Sequence, residues 1–233
     1  MNVILPLLST VVSFVFAGTV FAQWLSRRKP HQIVWTLGFI FYGIGAGCEL
    51  IGGATGWNAP LYQLWYLAGA IFVAAYLGMG TVYLISVRKL ANVIMAILVL
   101  GSLYAIFKVA GAQVNLTALA GMKVPTGEAM PNDVRLLTPI FNIYGTLGLV
   151  GGAAYSAWIF WRKRILPQRL VSCVLIAVGG MLPAFGGTAM RLGNPGLFFL
   201  MEFLGVAVIF IGFLANSEIV ATRLTAKQST AVG

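Results

Sequence analysis

Seven apolar runs, at about 3–24, 33–54, 60–85, 91–109, 138–160, 170–190 and 195–217, leave this chain one kind of fold. Each is near the roughly 20 residues a helix needs to cross the hydrocarbon of a bilayer. Lipid offers no partner to a free backbone N–H or C=O, so spans of this length must be helices. The prediction is an all-α polytopic membrane protein of seven transmembrane helices. Composition agrees, with 60% hydrophobic and only 9% charged residues, whereas a soluble domain carries about a quarter.

The cations set the orientation. Arg27, Arg28, Lys29, Arg88, Lys89, Arg162, Lys163, Arg164, Arg169, Arg223 and Lys227 fall on one side of the seven spans, and Lys108, Lys123, Arg135 and Arg191 on the other. Basic connections stay in the cytoplasm, so the N-terminus is expected outside and the C-terminus inside, most simply in the plasma (inner) membrane. The net charge of +10 is then explained without nucleic acid. The expected partners are membrane lipids, with anionic inner-leaflet lipid at the basic loops, and a homo-oligomer or partner subunits are compatible with the chain. The first run ends in Val20-Phe21-Ala22, which imitates a cleavage site. It lacks a basic leader and is longer than a signal-peptide core, so it reads as a retained helix.

The long connection, 110–134, lies outside and contains Gly121, Pro125, Gly127 and Pro131, which argue against a continuous helix. One short helix is expected near Ala112 to Leu119. Asn115-Leu116-Thr117 fits a glycosylation acceptor, a motif common by chance. Residues 224–233 read as a flexible inner tail. Cys48 and Cys173 fall near opposite membrane faces, too far apart for a disulfide. With His31 the sole histidine there is no haem or zinc ligand set, and no cofactor is expected. No hydrolase, zincin, nucleotide or dinucleotide motif stands in a usable context, so the chain is not expected to be an enzyme.

Charges inside the spans are few. A carboxylate at the middle of a span costs about 2.5–3.5 kcal/mol, so such residues face protein or water. Glu49 sits among Gly43, Gly45, Gly47, Gly52, Gly53 and Gly56, and shares a helix face with the small residues that let another helix approach. Glu202 shares a face with Gly205 and Gly212, and Arg191 one with Ala184, Gly187 and Thr188. On the expected topology all three lie in the outer half. One reading is a polar cavity open to the outside, with Glu49, Glu202 and Arg191 as its substrate-binding charges. The other is an Arg–Glu pair that merely ties helices together.

The third span adds Tyr62, Tyr66, Gly69, Val73, Tyr76, Gly80 and Tyr83 at spacings of four and three, one helical face. Tyr62, Tyr83 and Trp57 suit interfacial anchoring. Tyr66 and Tyr76 are deeper, and either line the cavity or bond to a neighbouring helix. In the sixth span Gly180, Pro183 and Gly186 predict a kink or break that could serve as a hinge.

Sliding the chain by 134 residues superposes Gly18 on Gly152, Trp24 on Trp158, Arg28 on Arg162, Gly45 on Gly179, and Gly52-Gly53 on Gly186-Gly187. After a two-residue difference Gly69 meets Gly205. Helices one to three would then echo five to seven in a parallel 3+1+3 repeat, although 28 glycines also produce matches by composition alone. This layout resembles that of the SWEET and PQ-loop transporters. Their proline–glutamine signature is not reproduced, because Pro6 and Pro139 open the first and fifth helices without Gln. Microbial rhodopsins share the helix count but need a lysine in the last helix, and 195–217 has none. The functions left are a small-solute or proton-coupled transporter and, alternatively, a heptahelical protein that binds a ligand, pigment or lipid, senses, or serves as an accessory subunit.

Overall fold

A computed structural model describes residues 3–122, 124–164, 166–191 and 196–216, with Arg191 and Asn216 as backbone only. Seven helices are long and apolar enough to cross a membrane: α1 (Ile4–Arg27), α2 (Pro30–Thr55), α3 (Ala59–Ile85), α4 (Arg88–Ala110), α5 (Asn132–Lys163), α6 (Pro167–Arg191) and α7 (Gly196–Asn216). They correspond one to one with the apolar runs and extend past them where caps allow. Pro30 and Pro167 open α2 and α6, at the first-turn position where proline's missing N–H is harmless. The arrangement is that of an integral membrane protein. The turns α1–α2, α3–α4 and α5–α6 lie at one end, here the basic end, and the remaining connections lie at the far end.

Six helices close a ring in the order α1, α2, α3, α5, α6, α7 and back to α1, while α4 packs outside it, mainly on α3. The outward side of α4, with Val93, Ile97, Leu100 and Phe107, is exposed, as a lipid-facing surface should be. Glycines set the closest approaches. A Cβ on Gly45 would come 2.8 Å from the Cα of Gly69, and one on Gly179 would come 2.9 Å from the carbonyl oxygen of Gly205. A Cβ on Gly145 would lie 2.1 Å from the carbonyl carbon of Ala74. The backbones of α2 and α3, α6 and α7, and α3 and α5 therefore touch directly, as small-residue crossings allow in lipid.

Two ring helices contain a wider turn. Tyr66–Phe72 in α3 and Leu147–Gly151 in α5 are π-helical. A π-turn leaves a main-chain acceptor short of its usual donor, and in α3 Asn142 of α5 supplies one, its Nδ2 donating to the Ala70 carbonyl at 2.9 Å. Asn142→Ala is expected to lower stability by about 1 kcal/mol. Thermal unfolding in detergent checks this, and an unchanged midpoint would contradict the role given to Asn142.

The expected break in α6 is absent. The helix runs unbroken through Pro183, and the ring carbons of Pro183 lie 2.9–3.0 Å from where a Cβ on Gly205 would stand. The proline is accommodated because α7 presents a glycine opposite it. Gly180 faces Leu149 and Val150 of α5, and Gly186 faces Phe198 and Met201 of α7. The proposed hinge positions are thus crossing points, each against a neighbouring helix.

The far-end connection is folded onto the bundle. Its helix begins later than expected, at Leu116, because the Asn115 side chain caps it by accepting from the N–H groups of Thr117 and Ala118. The N–H of Asn115 donates to the Ala129 carbonyl at 2.9 Å, Tyr62 donates to the Thr126 carbonyl, and Lys108 pairs with Asp133. Gln63 closes the end of α4, its Nε2 donating to the carbonyls of Val109 and Ala112 at 3.1 Å each.

Inside the ring, polarity divides along the axis. Toward the basic end Phe16 stacks on Phe39 with centroids 3.7 Å apart and meets Phe210 and Phe213 at 4.6 and 5.1 Å. Leu77, Leu149, Val206 and Ile209 complete this apolar cluster. The buried carboxylates lie on the other side of it.

Candidate functional site

The crossing of α2 and α3 builds the site. These helices are antiparallel and touch at Gly45 and Gly69, so residues one turn toward the far end on each, Glu49 and Trp65, are brought together. The Trp65 Nε1–H donates to Glu49 Oε1 at 2.8 Å. Glu49 is 2% exposed. From α7, the Glu202 carboxyl is close enough to Glu49 for the two to act on each other electrostatically. Its main-chain carbonyl accepts from Tyr42 of α2 at 2.7 Å, which fixes α7 against α2 across the interior. The two acids predicted from sequence on separate helices therefore meet.

Neither acid is fully satisfied. Oε2 of Glu49 and Oε2 of Glu202 are buried with no hydrogen-bond partner among the described residues, and the same holds for Ser13 Oγ on α1 and Trp57 Nε1. Ser13 is fully buried, and Ser9, one turn away, is 1% exposed. A Cβ on Gly43 would touch Phe14, and one on Gly47 would approach Thr10. These contacts put Ser9 at the depth of Glu49 and Ser13 about one turn nearer the basic end. Trp57 lies over Gly52. With Tyr62, Trp65 and Tyr66 it forms a continuous aromatic layer, with ring centroids 5.6–6.2 Å apart.

Tyr66 and Tyr76 bond away from the acids. Tyr76 turns toward α4, its hydroxyl donating to Ser102 Oγ at 3.1 Å. Tyr66 is buried beside Trp65, but its hydroxyl accepts from Thr138 of α5 at 2.8 Å. Each hydroxyl is thus bonded to a neighbouring helix. The stripe of residues at spacings of four and three does not stay on one face because the π-turn at Tyr66–Phe72 changes the angular step partway along it. Arg191 ends α6, and its side chain lies outside the described residues. The opening that one reading of the sequence expects is shut at Glu49, which is buried and bonded to Trp65. Trp65, Ser13 and Tyr42 were not foreseen as part of the site. The one available signal was spacing, since Trp65 stands four residues from Gly69, as Glu49 does from Gly45.

Chemically, two ionised carboxylates facing each other are acceptors only, with no hydrogen bond between them. Adding one proton makes one of them a donor to the other. The indole N–H and the nearby hydroxyls supply further donors and acceptors. Among the described residues there is no group of three or more His, Cys, Asp or Glu able to hold a metal ion. No protein-family model matches the chain, and no curated protein or solved structure is significantly similar to it.

Proposed function

We propose that this protein is a proton-coupled transporter of a small solute, not an enzyme, and that Glu49 and Glu202 carry the proton. One observation bears most of the weight: two acids from helices far apart in sequence meet inside the bundle with a buried, unpartnered oxygen on each. An intramembrane acid pair is costly to keep, and proton relays are a common use of such groups. The apolar cluster around Phe16 and Phe39 seals the basic side of the pair, while the aromatic layer and the folded connection cover the other. The reading assigns this closed form to the occluded stage between outward and inward access.

In this reading the N-terminus is outside and the basic end cytoplasmic, in the plasma (inner) membrane. Arg28 lies 4.5 Å over the Trp24 ring and Arg162 lies 5.3 Å from the Trp158 ring. Such pairs suit the interface with anionic lipid. The parallel repeat belongs to the same proposal. Its offset equates Gly45 with Gly179 and Gly69 with Gly205, and both pairs are helix crossings. The ring order also maps onto itself when α1, α2 and α3 replace α5, α6 and α7. Transporters built this way place their sites where the repeats meet.

Purified protein in proteoliposomes with an imposed pH gradient tests the reading. Solute uptake or release should follow the gradient and collapse when a protonophore removes it. Movement indifferent to the gradient would overturn the role given to the acids.

A further inference from the structure

We infer that the solute exchanged for protons at the Glu49–Glu202 pair is an organic monocation, a compact positive head on an apolar body. This inference rests on the transport reading above. Three observations support it.

The first is charge. The two carboxyls act on each other, Trp65 of α3 donates to Glu49, Tyr42 and Cys48 of α2 lie within their electrostatic reach, and Ser9 and Ser13 of α1 are buried at similar depths. None of these is a cation; Arg135 stands on the far side of the aromatic layer, beside Tyr62 and Tyr66, and the Arg191 side chain lies outside the described residues. An anionic solute would place a third like charge beside two acids in a medium that screens poorly. A cation would take the role the proton plays.

The second is unmet hydrogen bonding away from the acids themselves. Ser13 is fully buried and its hydroxyl has no partner, and the Trp57 indole N–H has none either. Ser13, Glu49, Trp57 and Glu202 account for all but Ser172 of the buried polar side-chain atoms without partners among the described residues. Buried groups left open are rare in folded proteins and call for an explanation. Here two of the four are the acids themselves, Ser13 stands about one turn to their basic side, and Trp57 lies over Gly52 on the other.

The third is the wall. Trp57, Tyr62, Trp65 and Tyr66 form a layer of rings next to the acids. Aromatic faces attract organic cations through their quadrupoles, tryptophan most strongly. Among the described residues no group of three or more His, Cys, Asp or Glu gathers here. A quaternary or primary ammonium therefore fits this lining better than a metal ion.

The step balances. A pair holding one proton carries one negative charge. A monocation that binds displaces that proton, and the charge on the loaded site falls by none. Exchange across the membrane is thus one proton for one cation, without net movement of charge.

Acid-loaded proteoliposomes with an internal pH dye test this, using tetraethylammonium and benzyltrimethylammonium, which cannot cross by losing a proton. Either cation added outside should speed proton release, and clamping the voltage with potassium and valinomycin should leave the rate unchanged. Sodium chloride, sodium benzoate and glucose should have no effect. Glu49→Gln and Glu202→Gln should abolish the response. In detergent, binding of tetraethylammonium to the wild-type protein should release about one proton per cation, a measurement that needs no variant. Proton release driven only by benzoate or glucose would overturn the cation inference while leaving proton-coupled transport intact. Release driven by sodium alone would overturn its organic part. Proton release with no solute of any class would remove both readings.

Discussion

Glu202→Gln is expected to abolish the proposed pH-dependent transport while leaving the fold intact. The substitution keeps the size of the side chain and removes its exchangeable proton. A glutamine at this position also carries an N–H₂ group that can donate to Glu49, whose Oε2 has no partner among the described residues. A new hydrogen bond to a carboxylate contributes about 1.5–3 kcal/mol where geometry allows. The expected result is therefore an inactive protein whose unfolding midpoint is equal to or above that of the wild type. Fluorescence-detected size exclusion and thermal unfolding measure the second half of this, and proteoliposome uptake the first. Transport that persists at wild-type rate in Glu202→Gln would show that Glu202 carries no proton, whatever its neighbours do.

Gly145→Leu is expected to leave almost no folded protein, and Gly145→Ala to lower stability already by about 3 kcal/mol, the upper part of the range for overpacking. The reason is that the atom opposite is main chain. A Cβ on Gly145 would stand 2.1 Å from the carbonyl carbon of Ala74 and 2.3 Å from its oxygen, so no rotamer change can relieve the overlap. Helices α3 and α5 would have to separate along the crossing that also joins Gly78 to Gly148. Gly18 is the control, because a Cβ there meets nothing within 4 Å. Gly18→Ala should be silent or slightly stabilising through helix propensity, by less than about 1 kcal/mol. Equal yields of Gly145→Ala and Gly18→Ala would refute the account of glycine packing.

Much of the architecture was readable from the chain. A run of apolar residues as long as a bilayer is thick admits a single backbone solution, so helix number and approximate limits followed from hydropathy. The pairing of acids with small residues was readable too. Glu49 and Glu202 each shared a face with a glycine, and those glycines, Gly45 and Gly205, mark close crossings. What failed was anything that depended on angular register through an irregular turn. The π-turn at Tyr66–Phe72 leaves no mark in composition. It separated Tyr66 from Tyr76, while Trp65 takes the position beside Glu49. Of the kink or break that Pro183 predicts, the break is absent, because the proline rule is local whereas the space that preserves the helix is provided by Gly205 on another segment. The 110–134 connection is folded on itself by the main-chain bond from Asn115 to Ala129 and held to the bundle by Tyr62, which donates to the Thr126 carbonyl, and contacts of this kind have no periodic signal.

The position of α4 outside the ring has a consequence of parity. Any three consecutive crossings leave the chain on the opposite face from where it entered, so a second group of three following directly would be threaded upside down relative to the first. One additional crossing restores the original direction. Because α4 touches the ring mainly through α3, it provides that reversal without occupying a place among the six, and its sequence is constrained by lipid on most of its circumference and by partners along only one side.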